Sequence, residues 1–468
     1  MAVFAFLGRK RSIFFLWYKT VKHKKGIIAM KVTKYWHAYP LDDKGQMLLY
    51  NAFTNALARI EPEKYQQFIN FAKAQTPIDD SELKKQLTMG GFLLEDNVDE
   101  LALLRLRLHS TRYDSTSFGL TLAPTMDCNF RCVYCYESKV IHHTYMGVEV
   151  QEAVVKLLEE RAKHIRNFSV TWYGGEPLLA FETILRLSKR FIEICEKNDI
   201  TYTAGIITNG YLLTIEKAEM LAAAKVTFYQ ITIDGTRESH DASRPLKNGA
   251  GTYDKIFDNL VQCADLLTNV SMRVNVGHNN VQAVDSIFEK LEESGLSDHV
   301  VPYLGKITND NGDPELEPIC FTTSEFAKLD LQYTFSHSSH LDWFEKYPTL
   351  KGNYCGADCY QAMVIDPDGF IYRCWNEIGN HSYAVANLLR STPDNLSLYF
   401  DYMLFDPTTD PQCSHCDVLP LCMGGCPYYR VHDRQENRCS VYRTELQEYL
   451  TAVAHKLLEE KKSAGCSD

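Results

Sequence analysis

Hydrophobic and polar positions follow two alternating periods along the central part of the chain. From residue 118 to residue 307, short apolar runs typical of buried strands alternate with longer segments whose apolar residues recur every three or four positions, as on one helix face. Six such strands, each trailed by a helix or loop, predict an α/β fold with a parallel sheet, either open or closed into a partial barrel. Sites in such folds lie at the carboxyl ends of the strands. The predicted strands are 118–123, 168–173, 202–208, 226–233, 271–276 and 299–305, and the predicted helices are 148–163, 181–197, 215–224, 253–267 and 281–294.

The pattern changes on both sides of this central region. The amino-terminal side combines short strands with helices near 62–72 and 81–88, which predicts a small α+β domain. The carboxy-terminal side has few long periodic segments but many cysteines, so we expect metal sites rather than an apolar core to hold it together. The predicted parts are a 1–30 extension, a 31–110 α+β domain, a 115–310 α/β domain, a 311–350 connecting segment, a 351–445 cysteine-rich domain and a 446–468 helix and tail.

Composition narrows the class of protein. The 468 residues include only 25 Gly and 16 Pro and are 45% hydrophobic, which excludes a mostly disordered or collagen-like chain. Lys and Arg number 49 against 60 Asp and Glu, a net charge of −11, so the basic footprint of a nucleic-acid-binding protein is missing. Residues 1–30 are rich in Lys and Arg. Their apolar run, 13–18, is too short for the hydrophobic core of a signal peptide. We therefore expect a disordered extension with Met30 as an alternative start, no membrane span and a cytoplasmic location.

Fifteen cysteines are the anomaly in this composition. Disulfide-rich chains are typically small secreted domains, whereas this chain is long and its cysteines cluster at 128–135 and 355–439.

Cys128, Cys132 and Cys135 follow the first predicted strand directly. Soft thiolates suit iron-sulfur clusters, and three of them leave one iron of a 4Fe-4S cluster open for a substrate or cofactor. A structural zinc site would need a fourth ligand, and no suitable residue lies nearby in the sequence.

The spacing C-x3-C-x2-C, with the aromatic Tyr134 before the last cysteine, resembles the signature of the radical S-adenosylmethionine (radical SAM) superfamily. The resemblance implies a partial (β/α)6 TIM-type barrel and a 4Fe-4S cluster whose open iron binds S-adenosylmethionine. It also implies reductive cleavage of that cofactor to a 5′-deoxyadenosyl radical, with a flavodoxin-type or ferredoxin-type reductant as partner. The protein's expected part is to position the radical and to exclude water and oxygen.

Residues at the predicted strand ends match further cofactor-binding segments of this superfamily. Gly174, Gly175, Glu176 and Pro177 end the second strand, where glycines permit close backbone approach and Glu176 offers a carboxylate to an ammonium group. Taken alone, this tetrapeptide would be an ordinary strand-to-helix turn. The other positions for which cofactor binding and a purely structural role both stay open are Tyr134, Thr208, Asn209, Thr232, Asn275 and the segment that holds Asp234, Gly235, His240, Asp241 and Arg244.

The carboxy-terminal cysteines form a second pattern. A C-x9-G-x4-C segment runs from Cys359 through Gly369 to Cys374, a C-x2-C-x5-C-x3-C segment begins at Cys413, and Cys439 follows. This resembles the SPASM domain, an extension of radical enzymes that act on peptides or proteins. The resemblance implies two auxiliary 4Fe-4S clusters. Their implied ligands are Cys355, Cys359, Cys374 and Cys426 for the first cluster and Cys413, Cys416, Cys422 and Cys439 for the second.

Several alternatives remain for the cysteines. A pair of zinc knuckles would use the same residue type, and some relatives leave one auxiliary cluster with three ligands, in which case Cys355 or Cys359 is not a ligand. The four cysteines outside both patterns are expected to be packing or tail residues without a catalytic role. They are Cys195, Cys263, Cys320 and Cys466.

Together the resemblances imply an enzyme that abstracts hydrogen from a peptide or protein. The favoured reaction is maturation of a ribosomally made peptide by thioether or carbon-carbon cross-linking, with 31–110 as a peptide-binding module. The first alternative is oxidation of a sulfatase Cys or Ser to formylglycine. Relatives of that kind carry Asp directly after the cysteine at the position of Cys374, where this chain has Trp375, although Glu377 is a candidate base. The second alternative is a non-catalytic iron-sulfur electron-transfer protein.

Overall fold

The computed structural model describes residues 29–434 and 437–463. The predicted basic extension lies outside these residues up to position 28, as does Cys466, and the first described strand begins at Met30.

The amino-terminal region consists of two small antiparallel sheets and three helices. Strand β1 pairs with β5, and β2, β3 and β4 form a meander. The second and third helices begin where Asp80 and Asp99 accept hydrogen bonds from backbone amides of the first turn. The third helix was not predicted. The elements are β1 Met30–Val32, β2 Trp36–Pro40, β3 Met47–Asn51, β4 Ala56–Ile60, α1 Pro62–Ala74, α2 Ser81–Met89, β5 Leu93–Glu95 and α3 Glu100–Arg112.

The central region contains six parallel strands that neighbour one another in chain order. The α/β class with a mostly parallel sheet is confirmed, and the partial barrel and the division into domains remain predictions. The strands are β6 Ser117–Leu122, β7 Asn167–Trp172, β8 Thr201–Thr208, β9 Val226–Thr232, β10 Val270–Val276 and β11 Val300–Lys306, and the helices are α4 Val148–Arg161, α5 Phe181–Lys197, α6 Ile215–Ala223, α7 Arg237–Ser243, α8 Tyr253–Cys263 and α9 Ser286–Glu293.

Helix α5 shows why the hydrophobic period located these elements. Ile184, Leu187 and Phe191 recur at helical spacing and are all buried. Phe191 packs edge-on against Phe168 of β7, with ring centroids 5.2 Å apart. The apolar face of the helix therefore covers the sheet and leaves the strand ends free to form a site.

The carboxy-terminal region extends the central sheet. Strand β12 pairs in parallel with β6, and β13 and β14 follow as antiparallel neighbours. A buried cluster that includes Leu398, Tyr402 and Tyr428 shows that this region also has apolar packing of its own. The segment predicted as a connection contains helix α10. The elements are α10 Thr323–Ser336, β12 Ala362–Ile365, β13 Phe370–Tyr372, β14 Ala386–Asn387, α11 Leu396–Met403, α12 Leu419–Cys422, α13 Pro427–Val431 and α14 Tyr442–Ser463. No helix of the described residues is both long and apolar enough to cross a membrane.

Arg112, at the end of α3, joins the amino-terminal region to the cysteine-rich region. Its guanidinium lies 3.1 Å from the Asp358 carboxylate and also donates to the Asn353 side chain and the carbonyl of Phe405. Both charged side chains are buried. Burial raises the pKa of Asp358, and Arg112 opposes that rise. Loss of one member leaves the other charge buried without its counterion.

We expect Arg112→Met to lower the free energy of unfolding by about 3 kcal/mol, because Asp358 stays buried without its cation. The measurement is urea denaturation followed by circular dichroism. The control is Arg105→Met, which breaks the more exposed pair with Asp406 at 3.2 Å and should cost less than about 1 kcal/mol. Equal losses in the two variants would contradict the role given to Arg112.

Candidate functional site

A cavity of about 420 Å³ lies where the central strands end. Parallel strands place their carboxyl ends at one edge of a sheet, so residues that are distant in the chain meet there. The predicted site residues that line this cavity are Cys128, Cys132, Tyr134, Cys135, Gly174, Gly175, Thr208, Asn209, Thr232, Arg244 and Asn275.

The three cysteines of the first motif lie on the loop that follows β6. Burial raises the pKa of Cys128 to about 12 and also raises the pKa of Cys132 and Cys135. Each thiol therefore keeps its proton until a metal displaces it. Three soft sulfur donors at one cavity wall fit an iron-sulfur cluster with an open position.

The two glycines after β7 are required by backbone packing. A Cβ on Gly174, whose φ is +104°, would lie 2.5 Å from the Thr125 carbonyl oxygen, and a Cβ on Gly175 would lie 2.2 Å from that of Asp127. The amide of Glu176 donates to the same Asp127 oxygen at 2.8 Å. The turn therefore packs directly on the backbone that leads into the cysteine loop.

Glu176 does not line the cavity, which corrects the expectation that its carboxylate meets an ammonium group. It is fully buried and accepts hydrogen bonds from the amides of Leu178 and Asn209 and from the Thr208 hydroxyl, at 2.7 to 2.9 Å. Pro177 is also buried and begins the following 3-10 turn. Glu176 thus positions Thr208 and Asn209, which do line the cavity.

Tyr134 is the centre of a hydrogen-bonded network that ties the cysteine loop to β9 and β10. Its hydroxyl donates to the Asp234 carboxylate and accepts from Arg244 at 2.9 Å and from the Asn275 amide at 3.0 Å. These bonds occupy the hydroxyl, so Tyr134 holds the loop. Arg244 is different, because its buried Nε lacks a hydrogen-bond partner within the described part of the chain and the residue lines the cavity.

His240 supports this network from behind. Its Nδ1 accepts from the Asp234 amide at 3.1 Å, so the proton lies on Nε2, which donates to the Thr252 hydroxyl at 3.1 Å. Burial and the nearby Arg244 lower the pKa of His240 to about 2. Asp241 accepts from the Thr252 amide at 2.7 Å. Around the turn at Gly235, these side chains hold the segment after β9 in place, which is the structural role that the sequence left open.

Part of the cavity wall could not be located from sequence patterns. Asp310, after β11, accepts hydrogen bonds from the Asn376 amide at 3.2 Å and the Tyr429 hydroxyl at 3.1 Å, so the cysteine-rich region closes this side. Glu137 is buried, burial raises its pKa to about 7, and its position two residues after Cys135 is the one signal that could have marked it. The wall residues that the sequence analysis did not assign are Phe130, Tyr136, Glu137, Tyr173, Ile207, Gln230, Arg273, Lys306, Ile307, Thr308, Asp310, Trp375, Asn376 and Tyr429.

Glu377, the candidate base, is not a wall residue. It is fully buried and accepts from the Tyr402 hydroxyl at 2.7 Å, from His432 Nε2 at 2.9 Å and from the Cys374 amide at 3.2 Å. Its contacts therefore do not support a role as a base that touches substrate. Trp375 lines the cavity instead.

The eight carboxy-terminal cysteines fall into two groups by their electrostatic influence on one another. Cys355 and Cys426 raise the pKa of Cys374, and Cys426 and Cys359 raise the pKa of Cys355. In the second group, Cys422 raises the pKa of Cys413 and of Cys416, and Cys439 raises the pKa of Cys422. Within the described residues, no three His, Cys, Asp or Glu side chains are close enough to hold a single metal ion. The two groups match the two implied ligand sets, which remain predictions. Cys195 and Cys263 are buried in the apolar core.

Residues 122–291 match the model of the Radical SAM superfamily. The chain therefore carries a radical SAM domain, and this family implies a 4Fe-4S cluster and S-adenosylmethionine. The matched residues run from the end of β6 through most of α9 and include the three-cysteine loop.

The chain is also similar to known maturases. It is 22% identical over 341 residues to the cysteine-type anaerobic sulfatase-maturating enzyme of Clostridium novyi, covering 66% of this chain and 88% of that protein. It is 26% identical over 322 residues to the mycofactocin maturase MftC of Mycolicibacterium smegmatis, covering 66% and 77%. The solved structure of native anSMEcpe with bound AdoMet and Cp18Cys peptide superposes with a TM-score of 0.56 at 18% identity, over 74% of this chain and 99% of that chain. That likeness shows a shared fold.

We expect Gly175→Ala to lower the free energy of unfolding by about 2 kcal/mol, because the added methyl group must displace the backbone at Asp127. Thermal and urea denaturation measure the loss. Gly147→Ala is the matched control, since nothing lies within 4 Å of a Cβ at that position. Gly147 is the N-cap of α4, where Ala is less favourable than Gly, so this substitution should cost less than about 1 kcal/mol. The packing argument fails if the two substitutions have the same effect.

We expect acidification to destabilise the protein through His240. Its native pKa of about 2 is below the ordinary histidine pKa of about 6.5, so the unfolded chain binds the extra proton between these values. The stabilising contribution is full above pH 6.5 and is lost by about 1.4 kcal/mol per pH unit below it. Urea denaturation at pH 7 and pH 5 should show a loss about 2 kcal/mol smaller in His240→Gln than in wild type. Substitution of the exposed His164 by Gln should leave the pH dependence unchanged, and a wild-type slope in His240→Gln would contradict the assignment.

Proposed function

We propose that this protein is a radical SAM enzyme that abstracts hydrogen from a peptide and matures a ribosomally made precursor by thioether or carbon-carbon cross-linking. The observation that carries the proposal is that one cavity is lined both by the three-cysteine loop and by Trp375, Asn376 and Tyr429 of the cysteine-rich region. When bound, the cluster on Cys128, Cys132 and Cys135 together with S-adenosylmethionine would supply the 5′-deoxyadenosyl radical.

The chain's own residues bind and orient the reactants. Arg244 offers a buried Nε donor to an anionic group of the cofactor. Thr208, Asn209, Thr232 and Asn275 present polar side chains on the same wall and suit hydroxyl groups of a ribose. Because hydrogen bonds to Glu176 and to Tyr134 hold Thr208, Asn209 and Asn275, their positions are set before a ligand enters.

Aromatic side chains form part of the wall of this cavity. Phe130, Tyr173, Trp375 and Tyr429 lie in its wall, and the rings of Tyr173 and Trp375 have centroids 5.5 Å apart. A reactive carbon radical is quenched by competing hydrogen donors and by oxygen, so aromatic rings that reduce the access of water to it are protective. Tyr173 belongs to the central region and Trp375 to the cysteine-rich region, so both parts contribute to this shield.

Cross-linking is favoured over sulfatase maturation by the surroundings of Cys374. Trp375 occupies the position at which sulfatase-maturing enzymes carry Asp, and it lines the cavity with 45% of its surface exposed. Glu377 cannot replace that Asp because its carboxylate is buried against Tyr402 and His432. Relatives of both classes resemble the chain, so the choice rests on these residues.

The amino-terminal region suits a peptide-binding role. Strands β2 and β4 are the two edges of the three-stranded sheet. An extended peptide can add to such an edge through backbone hydrogen bonds.

Two auxiliary 4Fe-4S clusters complete the proposal. Cys355 is exposed and is the cysteine whose loss as a ligand would open one auxiliary iron. Auxiliary clusters of this kind would accept an electron or bind a substrate thiolate. Clusters require reduced thiols, and we therefore place the enzyme in the cytoplasm with a flavodoxin-type or ferredoxin-type reductant.

We expect simultaneous replacement of Cys128, Cys132 and Cys135 by Ala to remove one cluster and all cofactor cleavage. Iron in the anaerobically reconstituted protein should fall from about twelve to about eight atoms per chain. The dithionite-reduced variant should form no 5′-deoxyadenosine. Cys195→Ala, in the apolar core, should retain both properties.

Cleavage activity in the triple variant would contradict the assignment of the cluster. A wild-type protein that holds iron and sulfide but never cleaves S-adenosylmethionine would instead establish the electron-transfer alternative.

A further inference from the structure

Two cations on the cavity wall have no carboxylate within ion-pair distance among the described residues. Arg273 lies on β10 and Lys306 ends β11, and both line the cavity. Neither forms an ion pair within residues 29–434 and 437–463. Asp310 raises the pKa of Lys306. The Asp310 carboxylate, however, lies 3.4 Å from Arg434 and accepts hydrogen bonds from Asn376 and Tyr429. Arg273 lowers the pKa of the buried Asp234 without forming an ion pair with it. Both cations are therefore without a directly paired carboxylate in a chain whose net charge is −11.

The guanidinium of Arg273 is held in a defined place. Its Nε donates to the Asn275 side-chain oxygen at 2.7 Å, and it lies over the Tyr303 ring, 5.9 Å from the centroid. Gly305 leaves the space that it occupies, because a Cβ at Gly305 would come within 2.7 Å of the Arg273 Cζ. The fixed Nε bond leaves the terminal nitrogen atoms as donors for a ligand. A guanidinium in this arrangement can bind a planar anion through two parallel hydrogen bonds.

Lys306 is partly removed from water. Burial lowers its pKa, while Cys320 and Asp310 act in the opposite direction. Its ammonium donates to the Thr323 hydroxyl at 3.2 Å and has two further protons to donate. Half-buried cations without counterions are costly, and an anionic ligand offsets that cost.

Arg244 is a third cation of the same wall. It donates to the Tyr134 hydroxyl at 2.9 Å, and Tyr134 donates to the Asp234 carboxylate. Arg273 is linked to the same hydroxyl through Asn275, which donates to it at 3.0 Å. Arg244 thus belongs to the network of Tyr134, whereas Arg273 on β10 and Lys306 at the end of β11 keep donors for a ligand of the cavity.

We propose that Arg273 and Lys306 bind a carboxylate of the peptide substrate, supplied by an acidic side chain or by the free carboxyl terminus. The site rests on the proposed function, because it names a recognition feature of the peptide that this cavity modifies. It places the acidic group of the peptide beside β10 and the end of β11, in the cavity that the cysteine loop also lines.

The test measures peptide affinity without turnover. Isothermal titration calorimetry uses reconstituted holoenzyme with S-adenosylmethionine and no reductant. Two probe pairs isolate the carboxylate: acetyl-Gly-Cys-Gly-Glu-Gly-amide against its Gln counterpart, and acetyl-Gly-Cys-Gly as free acid against its amide. The first pair reports a side-chain carboxylate and the second a carboxyl terminus.

In one of the two probe pairs, we expect the peptide with the free carboxylate to bind about 10-fold more tightly than its neutral counterpart. Lys306→Met and Arg273→Gln should each reduce this preference at least about 5-fold, and Gly305→Ala should do the same by displacing the guanidinium. Lys306→Arg should keep it. Lys328→Met is the matched control, because it removes an exposed lysine from α10, outside the cavity wall.

Three results would overturn the site: wild-type enzyme that shows no preference for either acid, a preference that survives both charge-removing variants, or variants that lose affinity for S-adenosylmethionine while their peptide preference is unchanged. The last result would assign the cations to the cofactor. Formation of 5′-deoxyadenosine by dithionite-reduced wild-type enzyme without peptide tests the proposed function separately, so failure of one proposal is not mistaken for failure of the other.

Discussion

The parallel pairing of β6 with β12 is the contact on which the rest of the site depends. Gly119 to Leu122 lie in register with Ala362 to Ile365, so the cysteine-rich region continues the sheet of the radical SAM domain. The loop after β6 carries the three cysteines, and the chain after β13 carries Trp375 and Asn376 into the same cavity. One set of backbone hydrogen bonds thus converts an open sheet edge into a closed wall that two distant parts of the chain share.

The polar groups around this cavity fall into two sets, those that hydrogen-bond to one another and those that lack a partner in the part of the chain that the structure describes. The supporting side chains are satisfied by one another: Glu176 by Thr208 and the Asn209 amide, and Asp234 by Tyr134 and the Asn275 amide. The exceptions are groups in or beside the wall, namely the Nε of Arg244, one carboxylate oxygen of Glu137 and the side-chain nitrogen of Asn129. Buried polar groups are normally paired, so these three are the groups around the cavity whose hydrogen bonds a ligand would complete.

The central strands and helices could be predicted from the sequence because long periodic segments such as α5 carry a strong local signal. Strands β12 to β14 are too short for periodicity, and β12 pairs with β6, more than 200 positions away, so the extension of the sheet was missed. Within the site, cysteine spacing is local and led directly to the cavity. The position of Glu377 could not be predicted, since its burial is decided by Tyr402 and His432, which no motif relates to it. Asp310 was missed for the same reason, because its partners lie in the cysteine-rich region.

The pairing of β6 also has a consequence for synthesis of the chain. Translation proceeds from the amino terminus, so β6 and β7 can pair long before residues 362–365 exist. During that interval one side of β6 is an unpaired strand edge, which is a site for aggregation unless another chain or a chaperone covers it. The same interval leaves the three-cysteine loop accessible before Trp375 and Tyr429 reach it. The loop is therefore accessible from more sides in the nascent chain than in the complete fold, and slower translation of the last third of the protein would lengthen this interval.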